Sequence, residues 1–179
     1  RVNDLVAGAR PLLDYLGEPR WTFTPQQRQR LGALPLFPSV HGTIALDGAQ
    51  VFLPSPFKPP ALALDVRLLQ EERRWGRLYE QLGIAEIDAW RYLNKVLVPA
   101  LPDLLREDRH RALEWLRDHW SSLTGQPGWD DLRRRLREIP LVLGLDGAFH
   151  RITDLHDPDS KLVREVLGSE AVYPDMDRY

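Results

Sequence analysis

A chain of 179 residues with 43% hydrophobic content can bury one sizeable core, which argues against disorder. It contains no cysteine, which excludes disulfides and thiolate metal sites, and its formal charge of -2 provides no positive field to gather polyanions. There is no uninterrupted apolar run of about 18 residues and no signal-peptide core, so we expect a cytoplasmic protein without a membrane segment. The start at Arg1 rather than at a methionine favours a piece of a longer protein.

Two helices are predicted at the beginning of the chain. Apolar residues recur at helical spacing until Gly17, which should end the first helix, and Pro11 predicts a kink or a new start within it. Thr24 and Gln27 then form a capping box, in which each side chain bonds the backbone N–H of the other residue. This pattern predicts a short helix as far as about Leu31.

Short strands are predicted for Leu34–Pro54, where apolar runs are separated by His41-Gly42 and Asp47-Gly48. A glycine at such a step supplies the positive φ that a tight turn needs, so we expect a small meander of two or three strands. The prolines that follow predict a stiff connection, because proline continues neither a strand ladder nor a helix.

Three amphipathic helices are predicted in the middle of the chain, at 64–82, 87–97 and 113–123. The second should end at Pro99 and Pro102, and the third at Gly125. We expect these three helices to form the main apolar core.

The last quarter repeats the order of the first. A basic helix, Trp129–Arg137, leads into an apolar run with an Asp-Gly turn, Ile139–Leu155. Asp157 should then cap a helix whose first position is Pro158 and which Gly168 ends.

The two strand segments align without a gap, and each aligned pair is separated by 105 residues. The pairs are Leu34 with Ile139, Pro35 with Pro140, Leu36 with Leu141, Phe37 with Val142, Val40 with Leu145, and Gly42 with Gly147. Each copy follows a short helix and an aromatic residue, Trp21 or Trp129. An ordered match that includes Pro and Gly predicts an internal duplication.

The second copy resembles the hallmark of sacsin repeats. In IPLVLGLDGAFHRITDLHDPDSKLVREVLG, an Ile-Pro run and an Asp-Gly turn lead to a Leu-(Tyr or similar)-Asp-Pro element, here Leu155 to Pro158, and then to a helix. The segment Leu82–Leu101 is similar to the link between repeats in that family, and LPLFPSVHG resembles the first half of another copy. The resemblance covers most of residues 30–175.

Sacsin-like proteins are very large, and each of their repeated regions begins with a part that resembles the ATPase domain of the ninety-kilodalton heat-shock chaperone. The resemblance implies a role in protein quality control, as a chaperone or co-chaperone. That ATPase site needs a helix-borne Asn and a Gly-rich Asp-x-Gly-x-Gly stretch, and neither Asn3 nor Asn94 has such a context. The resemblance is therefore to the non-ATPase part of a region, and the ATPase domain is expected elsewhere in the full-length protein.

No residue pattern points to catalysis, and we predict no catalytic, cofactor-binding or metal residues. Gly144–Phe149 lacks the third glycine and the following helix of a dinucleotide-binding loop. His150, Asp154, His156 and Asp157 are enough ligands for zinc, but they lack a two-His helical spacing and fall in a predicted strand and turn. No serine lies in a Gly-x-Ser-x-Gly elbow.

Two features are candidates for interaction. Arg133, Arg134 and Arg137 belong to the densest basic run, which could bind nucleic acid or an acidic partner, or could be a solvated helix face. Trp115 lies five residues before Trp120, about 140° around the helix. We predict that Trp115 is at least partly exposed and contacts a neighbouring domain.

Taken together, the patterns predict an α+β fold that is mostly helical, with two small antiparallel β-hairpin units related by an internal repeat. Residues 1–179 form one sacsin-repeat-like fragment, divided into a helix and hairpin unit at 20–60, a helical bundle segment at 61–127, and a helix, hairpin and helix unit at 128–179.

The expected function is that of a non-catalytic structural or interaction segment of a sacsin-like chaperone or co-chaperone. Its partners would be neighbouring domains of the same protein and client proteins, without membrane binding, and the overall charge argues against nucleic acid. The alternatives are a module that binds nucleic acid or an acidic partner through Arg133–Arg137, and a degenerate hydrolase or metalloenzyme.

Overall fold

The structure is a computed structural model that describes residues 2–39, 42–47, 50–70, 73–167 and 171–176, with the backbone alone for 2–7 and 162–164. Val40, His41, Gly48 and Gly168, which the sequence assigns to the repeat, to turns and to a helix end, lie outside the described residues.

The chain divides into two compact units. The first comprises Arg1–Pro59 and Ala63–Val96, and the second comprises Pro60–Leu62 and Leu97–Tyr179. Helices predominate, and two antiparallel hairpins are present, so the fold is α+β as predicted.

The described part of the first unit is built from short helices and strands. They are α1 (Val2–Leu16), α2 (Pro25–Gly32), β1 (Phe37–Ser39), β2 (Gly42–Ile44), β3 (Gln50–Phe52), β4 (Val66–Leu68), a 3₁₀ turn (Arg73–Trp75), α3 (Gly76–Gln81) and α4 (Ala89–Tyr92). β1 and β2 pair antiparallel, whereas β3 and β4 pair parallel.

Both helices predicted at the beginning of the chain form. α1 continues through Pro11 and ends before Gly17, whose N–H donates to the Leu13 carbonyl at 2.8 Å. α2 starts with the predicted capping box, in which the Gln27 N–H donates to Thr24 Oγ1 at 3.3 Å and the Thr24 N–H donates to Gln27 Oε1 at 2.9 Å.

The helix predicted from residue 64 is wrong in its first part, because Val66–Leu68 is strand β4. This strand pairs with β3, and the Leu69 N–H donates to the Phe52 carbonyl at 2.9 Å. Apolar residues alternate here, at positions 62, 64, 66 and 68. A spacing of four is a multiple of the strand period and is also close to one helical turn. The predicted meander is wrong for β3, which pairs in parallel with β4.

Pro99 does not end the helix that it is predicted to end. α4 continues through a π-helical turn (Leu93–Leu97) into α5 (Val98–Ala100) and a 3₁₀ turn (Leu101–Asp103). In a regular α-helix the proline ring clashes with the carbonyl four residues earlier. Here the wider π turn precedes Pro99, which lies in the first turn of α5, where a missing N–H breaks no intrahelical bond.

The described part of the second unit continues from α5. Its further elements are α6 (Arg106–Leu123), α7 (Trp129–Arg137), β5 (Val142–Leu143), β6 (Phe149–His150), a 3₁₀ turn (Ile152–Asp154) and α8 (Lys161–Leu167). α7 has the predicted bounds, and α6 stops before Gly125 as predicted. β5 and β6 pair antiparallel. Among the described residues, no helix combines the length and the apolar character needed to cross a membrane.

The predicted start of α8 is wrong, because the helix begins at Lys161 and not at Pro158. Asp157 instead stabilises the preceding turn: its Oδ1 accepts the Asp159 N–H at 2.9 Å, and its carbonyl accepts the Ser160 N–H at 3.2 Å. An Asp that bonds the backbone two residues further on forms an Asx turn, which an Asp-Pro step supports as well as it supports a helix start.

The two aligned segments share their local backbone geometry. α2 and α7 end at aligned positions, and the capping residues Ala33 and Glu138 have φ and ψ of -72°, -13° and -82°, -10°. In both copies the residue before the proline donates its N–H to the carbonyl three residues earlier, at 3.2 and 3.3 Å. Pro35 and Pro140 then lead into β1 and β5, and a turn is present at 35–36 but not at the aligned residues 140–141.

The turns of the two hairpins use aligned glycines but differ in length. Gly42 and Gly147 both have positive φ, of 116° and 79°. In the first hairpin Ser39 pairs with Gly42, whereas in the second the Gly144 N–H donates to the Ala148 carbonyl at 2.8 Å and encloses the three residues 145–147. A three-residue loop that ends on a left-handed glycine is a common hairpin connection. The second pairing register is therefore displaced by one residue from the sequence alignment.

The core of the first unit joins α1, the first hairpin and α3. Leu13, Phe37, Trp75, Leu78 and Tyr79 are almost completely buried in one cluster. The Trp75 and Tyr79 rings meet edge to face with centroids 6.3 Å apart, an arrangement that aromatic rings favour.

Asp14 is the polar partner of this core. One carboxylate oxygen accepts the indole N–H of Trp75 at 2.7 Å, and the other accepts the Arg74 guanidinium at 2.8 Å. Because the Trp75 side chain is fully buried, its N–H has no access to solvent as a substitute partner.

Replacing Asp14 with Ala should therefore lower the free energy of unfolding by about 1–2 kcal/mol, chiefly because the indole N–H of Trp75 is left without an acceptor. Urea denaturation followed by circular dichroism measures this change. Asp65→Ala is the matched control, because Asp65 pairs with the exposed Arg67, and it should change stability little. Equal effects of the two substitutions would contradict the role assigned to Asp14.

Candidate functional site

The second unit contains an open groove of about 670 Å³ between α6, α7 and the segment that leads into β5. Its apolar lining consists of Leu113, Leu116, Trp120, Leu136, Ile139, Leu141, Val142 and Ile152. The remaining lining side chains are polar or charged and form its rim: His110, Glu114, Arg117, Arg133 and Arg137. A volume of this size and an apolar lining are typical of sites that bind another molecule.

The groove is lined by α6 because the apolar face of that helix is wider than the surface that is buried. Ala112, Trp115 and Leu123 are buried on one flank of the helix. Leu113 and Trp120 lie on the other flank and line the groove. One helix thus contributes apolar side chains both to a core and to an open surface.

Trp115 is not the exposed tryptophan that the sequence predicts. Only 8% of its surface is exposed, its ring stacks on His119 with centroids 4.5 Å apart, and His119 Nδ1 lies 2.9 Å from the Trp115 carbonyl oxygen. Trp120 is the exposed one, at 47%. Both flanks of α6 carry apolar residues at helical spacing, so periodicity alone does not determine which flank is buried.

Two contacts connect α6 to the other walls of the groove. Near the end of α6, Trp120 meets Trp129 of α7 edge to face, with ring centroids 4.8 Å apart. Near its start, the Arg109 guanidinium donates to the Pro140 carbonyl at 3.2 Å and lies 4.4 Å from the centre of the Phe149 ring. A guanidinium over an aromatic face is attracted by the ring quadrupole, so Arg109 holds α6 against β6.

The arginines of α7 fall into two classes. Arg133 and Arg137 line the groove, one helical turn apart. Arg134 forms an ion pair with Asp131 and does not line the groove. Within the part of the chain that the structure describes, no carboxylate lies within ion-pair distance of Arg133 or Arg137. The structure therefore brings two of the predicted interaction residues to the groove and excludes Trp115 and Arg134 from it.

Leu145 and Ile152 are both exposed apolar residues of the second hairpin and the turn after it, and only Ile152 belongs to the groove. Ile152 is 60% exposed and lines it, whereas Leu145 is 69% exposed at the tip of the hairpin turn and lies outside it. Single exposed apolar residues are normal on protein surfaces, but Ile152 joins a continuous apolar lining.

The turn of the second hairpin is held by Asp146 and His150. The imidazole Nε2 lies 2.9 Å from Asp146 Oδ2, and the Ala148 N–H donates to Asp146 Oδ1 at 3.1 Å. These hydrogen bonds, chiefly the one from His150, lower the pKa of Asp146 below its usual value. A Cβ atom at Gly144 would lie 2.6 Å from Asp146 Oδ1 and 2.8 Å from the His150 ring, so a larger residue there would displace this pair.

Two of the residues weighed as zinc ligands have other partners. The His150 imidazole pairs with Asp146, and the Asp157 carboxylate forms the Asx turn before α8. Among the described residues, no group of three or more His, Asp or Glu side chains is placed to hold a metal ion.

Sequence reasoning did not identify the groove itself. Arg109, His110 and Ile152 carry no motif that separates them from other surface residues. The available signal was the apolar width of α6, where Leu113 and Trp120 extend the stripe beyond one core-facing side.

Replacing His150 with Ala should raise the pKa of Asp146 toward the usual carboxyl value of about 3.9, because the largest cause of its depression is removed. Since the pKa is lowered by folding, the stabilisation from Asp146 is complete above its unfolded-state pKa and is lost as pH falls through the folded-state value. A carbon-detected NMR titration of the side-chain carboxyl measures the pKa. His156→Ala should leave it unchanged, and an unchanged pKa in His150→Ala would sink this account of the turn.

No family model, no curated protein and no solved structure matches the chain. The resemblance to sacsin repeats therefore depends on the residues quoted for it, and the function is argued below from the groove.

Proposed function

We propose that this chain is a non-catalytic interaction segment that binds a helix of a partner protein in the groove of its second unit. The observation that carries the proposal is the open apolar groove with a charged rim. Amphipathic helices bind to other proteins by placing their apolar face into such a groove. Small-molecule sites also have an apolar lining, so the choice of a helix as the occupant depends on the comparison with the first unit.

The first unit supports a helix as the occupant. There the residues aligned with Leu136, Leu141 and Val142 pack into a closed core, against Trp75 and the helix α3. In the second unit the same three positions line the open groove. In the first unit, Trp75, Leu78 and Tyr79 cover the aligned surface. A partner helix with large apolar residues at the same spacing would cover the groove in the same way.

The dimensions of the groove agree with a short helix. The lining residues of α6 extend from His110 to Trp120, which corresponds to about 15 Å along the axis at 1.5 Å per residue. A partner helix of about three turns would span this distance. Only a few large side chains need to enter the groove, because a small number of buried anchors supplies most of the energy of an interface.

The wider setting that we propose is a sacsin-like quality-control protein, in which the partner is a client or a neighbouring domain. Its support is the order of the Ile-Pro run, the Asp-Gly turn and the Leu155 to Pro158 element, together with the matching ends of α2 and α7 and the positive φ of Gly42 and Gly147. The groove proposal does not depend on this family assignment.

Nucleic acid is the less supported occupant. Arg134 is paired with Asp131, and the groove lining is mainly aliphatic, whereas sites for single strands combine a long basic track with several aromatic platforms. The net charge of -2 also provides no long-range attraction.

The substitution Ile152→Glu should weaken binding of an apolar helical probe by about tenfold or more, because it places a charge in the apolar lining. The probe is a dye-labelled peptide of about 12 residues on an alanine and glutamine background, with Trp, Leu and Tyr at the spacing of Trp75, Leu78 and Tyr79. Fluorescence anisotropy measures the dissociation constant.

Leu145→Glu is the matched control, since Leu145 is equally apolar and exposed but lies outside the groove. It should leave the dissociation constant unchanged. Both variants alter an exposed side chain and should keep the circular dichroism spectrum of the unchanged protein. If Leu145→Glu weakens binding as much as Ile152→Glu, or if the probe does not bind, the groove is not the binding site.

A further inference from the structure

We infer that the partner helix is acidic on the flank that faces α7, with two carboxylates one turn apart that pair with Arg133 and Arg137. This inference rests on the proposed function, because it describes the chemistry of the same groove. It excludes a purely apolar client segment and a basic helix as the preferred occupant.

The geometry of α7 defines the spacing of these carboxylates. Arg133 and Arg137 are four residues apart, which places them on one face about 6 Å apart along the axis. Both border the groove. A partner helix lying beside α7 would present matching carboxylates at the same spacing of four residues, since side chains four apart share one face.

Arg133 and Arg137 also differ from the other arginines of the helix in their surroundings. Arg134 is paired with Asp131, and Arg135 does not line the groove, whereas no described carboxylate lies within ion-pair distance of Arg133 or Arg137. A guanidinium presents a planar fork of donors that matches a carboxylate. Beside an apolar surface that excludes water, such a pair is less screened than an ion pair in open solvent.

The charged side chains that α6 contributes to the groove differ from those of α7, and this difference indicates which flank of the partner helix is acidic. On α6 the charged lining side chains are Glu114 and Arg117, and Arg117 lies 3.3 Å from its neighbour Asp118. A second acidic flank against α6 would therefore meet the Glu114 carboxylate, and the one arginine on that side is already paired with Asp118. Carboxylates on the partner helix are therefore complementary in charge to α7 and not to α6.

Three versions of the probe peptide test the inference. They share the apolar face and carry two glutamates, two glutamines or two lysines, four residues apart on one flank of that face. At low ionic strength the acidic probe should bind about fivefold more tightly than the neutral one, and the basic probe more weakly than both. In 1 M salt the three dissociation constants should converge.

The protein variant with Arg133→Glu and Arg137→Glu should reverse the order of the three probes. Arg134→Glu with Arg135→Glu is the matched control, because it makes the same change of charge on the same helix away from the groove, and it should preserve the order. If only the Arg133→Glu, Arg137→Glu variant reverses the order of the dissociation constants, the preference comes from direct ion pairs and not from the net charge of the protein.

Other results overturn the inference in distinguishable ways. Equal affinities of the three probes, together with a loss of binding in Ile152→Glu, would remove the acidic partner and keep the groove as a binding site. Equal effects of the two double variants would assign the preference to net charge. The site would be one for nucleic acid if a thymidine oligonucleotide bound more tightly than the acidic probe and if the Arg133→Glu, Arg137→Glu variant no longer bound it. Failure of the neutral probe to bind would count against the proposed function itself.

Discussion

The hydrogen bonds of Arg109 are the constraint on which the groove depends. Its guanidinium donates to the carbonyls of Pro102, Leu104 and Pro140, and it stacks on the Phe149 ring. One side chain thus connects the turn before α6, the segment after α7 and β6. Because these backbone groups are held at hydrogen-bonding distance, α6 has a defined position at one end of the groove. The edge-to-face contact of Trp120 with Trp129 fixes the other end, and the apolar side chains between these two contacts remain uncovered.

The elements that could be predicted are those whose signals are local. The capping box at Thr24 and the bounds of α7 depend on neighbouring residues alone, and both are found as expected. The errors occur where a local signal permits two outcomes that distant residues decide. Leu64 and Leu68 fit a helix or a strand, and the pairing with β3 selects the strand. Pro99 is compatible with a helix end or with the first turn of a new segment, and the π-helical turn before it permits the second.

The candidate site was predictable only in part, for a related reason. The basic run on α7 is visible in the sequence, but only the structure separates Arg133 and Arg137, which border the groove, from Arg134, which is paired with Asp131. The choice between Trp115 and Trp120 was a choice between two flanks of one apolar stripe. That choice is made by what packs against α6, and periodicity contains no information about it.

The alignment of the two copies relates the open apolar surface of the second unit to a buried surface of the first. Both copies have a longer helix, a short helix that ends in the same cap, and a hairpin with a left-handed glycine. In the first copy, Trp75, Leu78 and Tyr79 complete the core against the hairpin. In the second copy, Leu136, Leu141 and Val142, which align with Leu31, Leu36 and Phe37, line the groove instead. If the two copies derive from one unit, the surface that is buried in the first copy corresponds to the surface that lines the groove in the second.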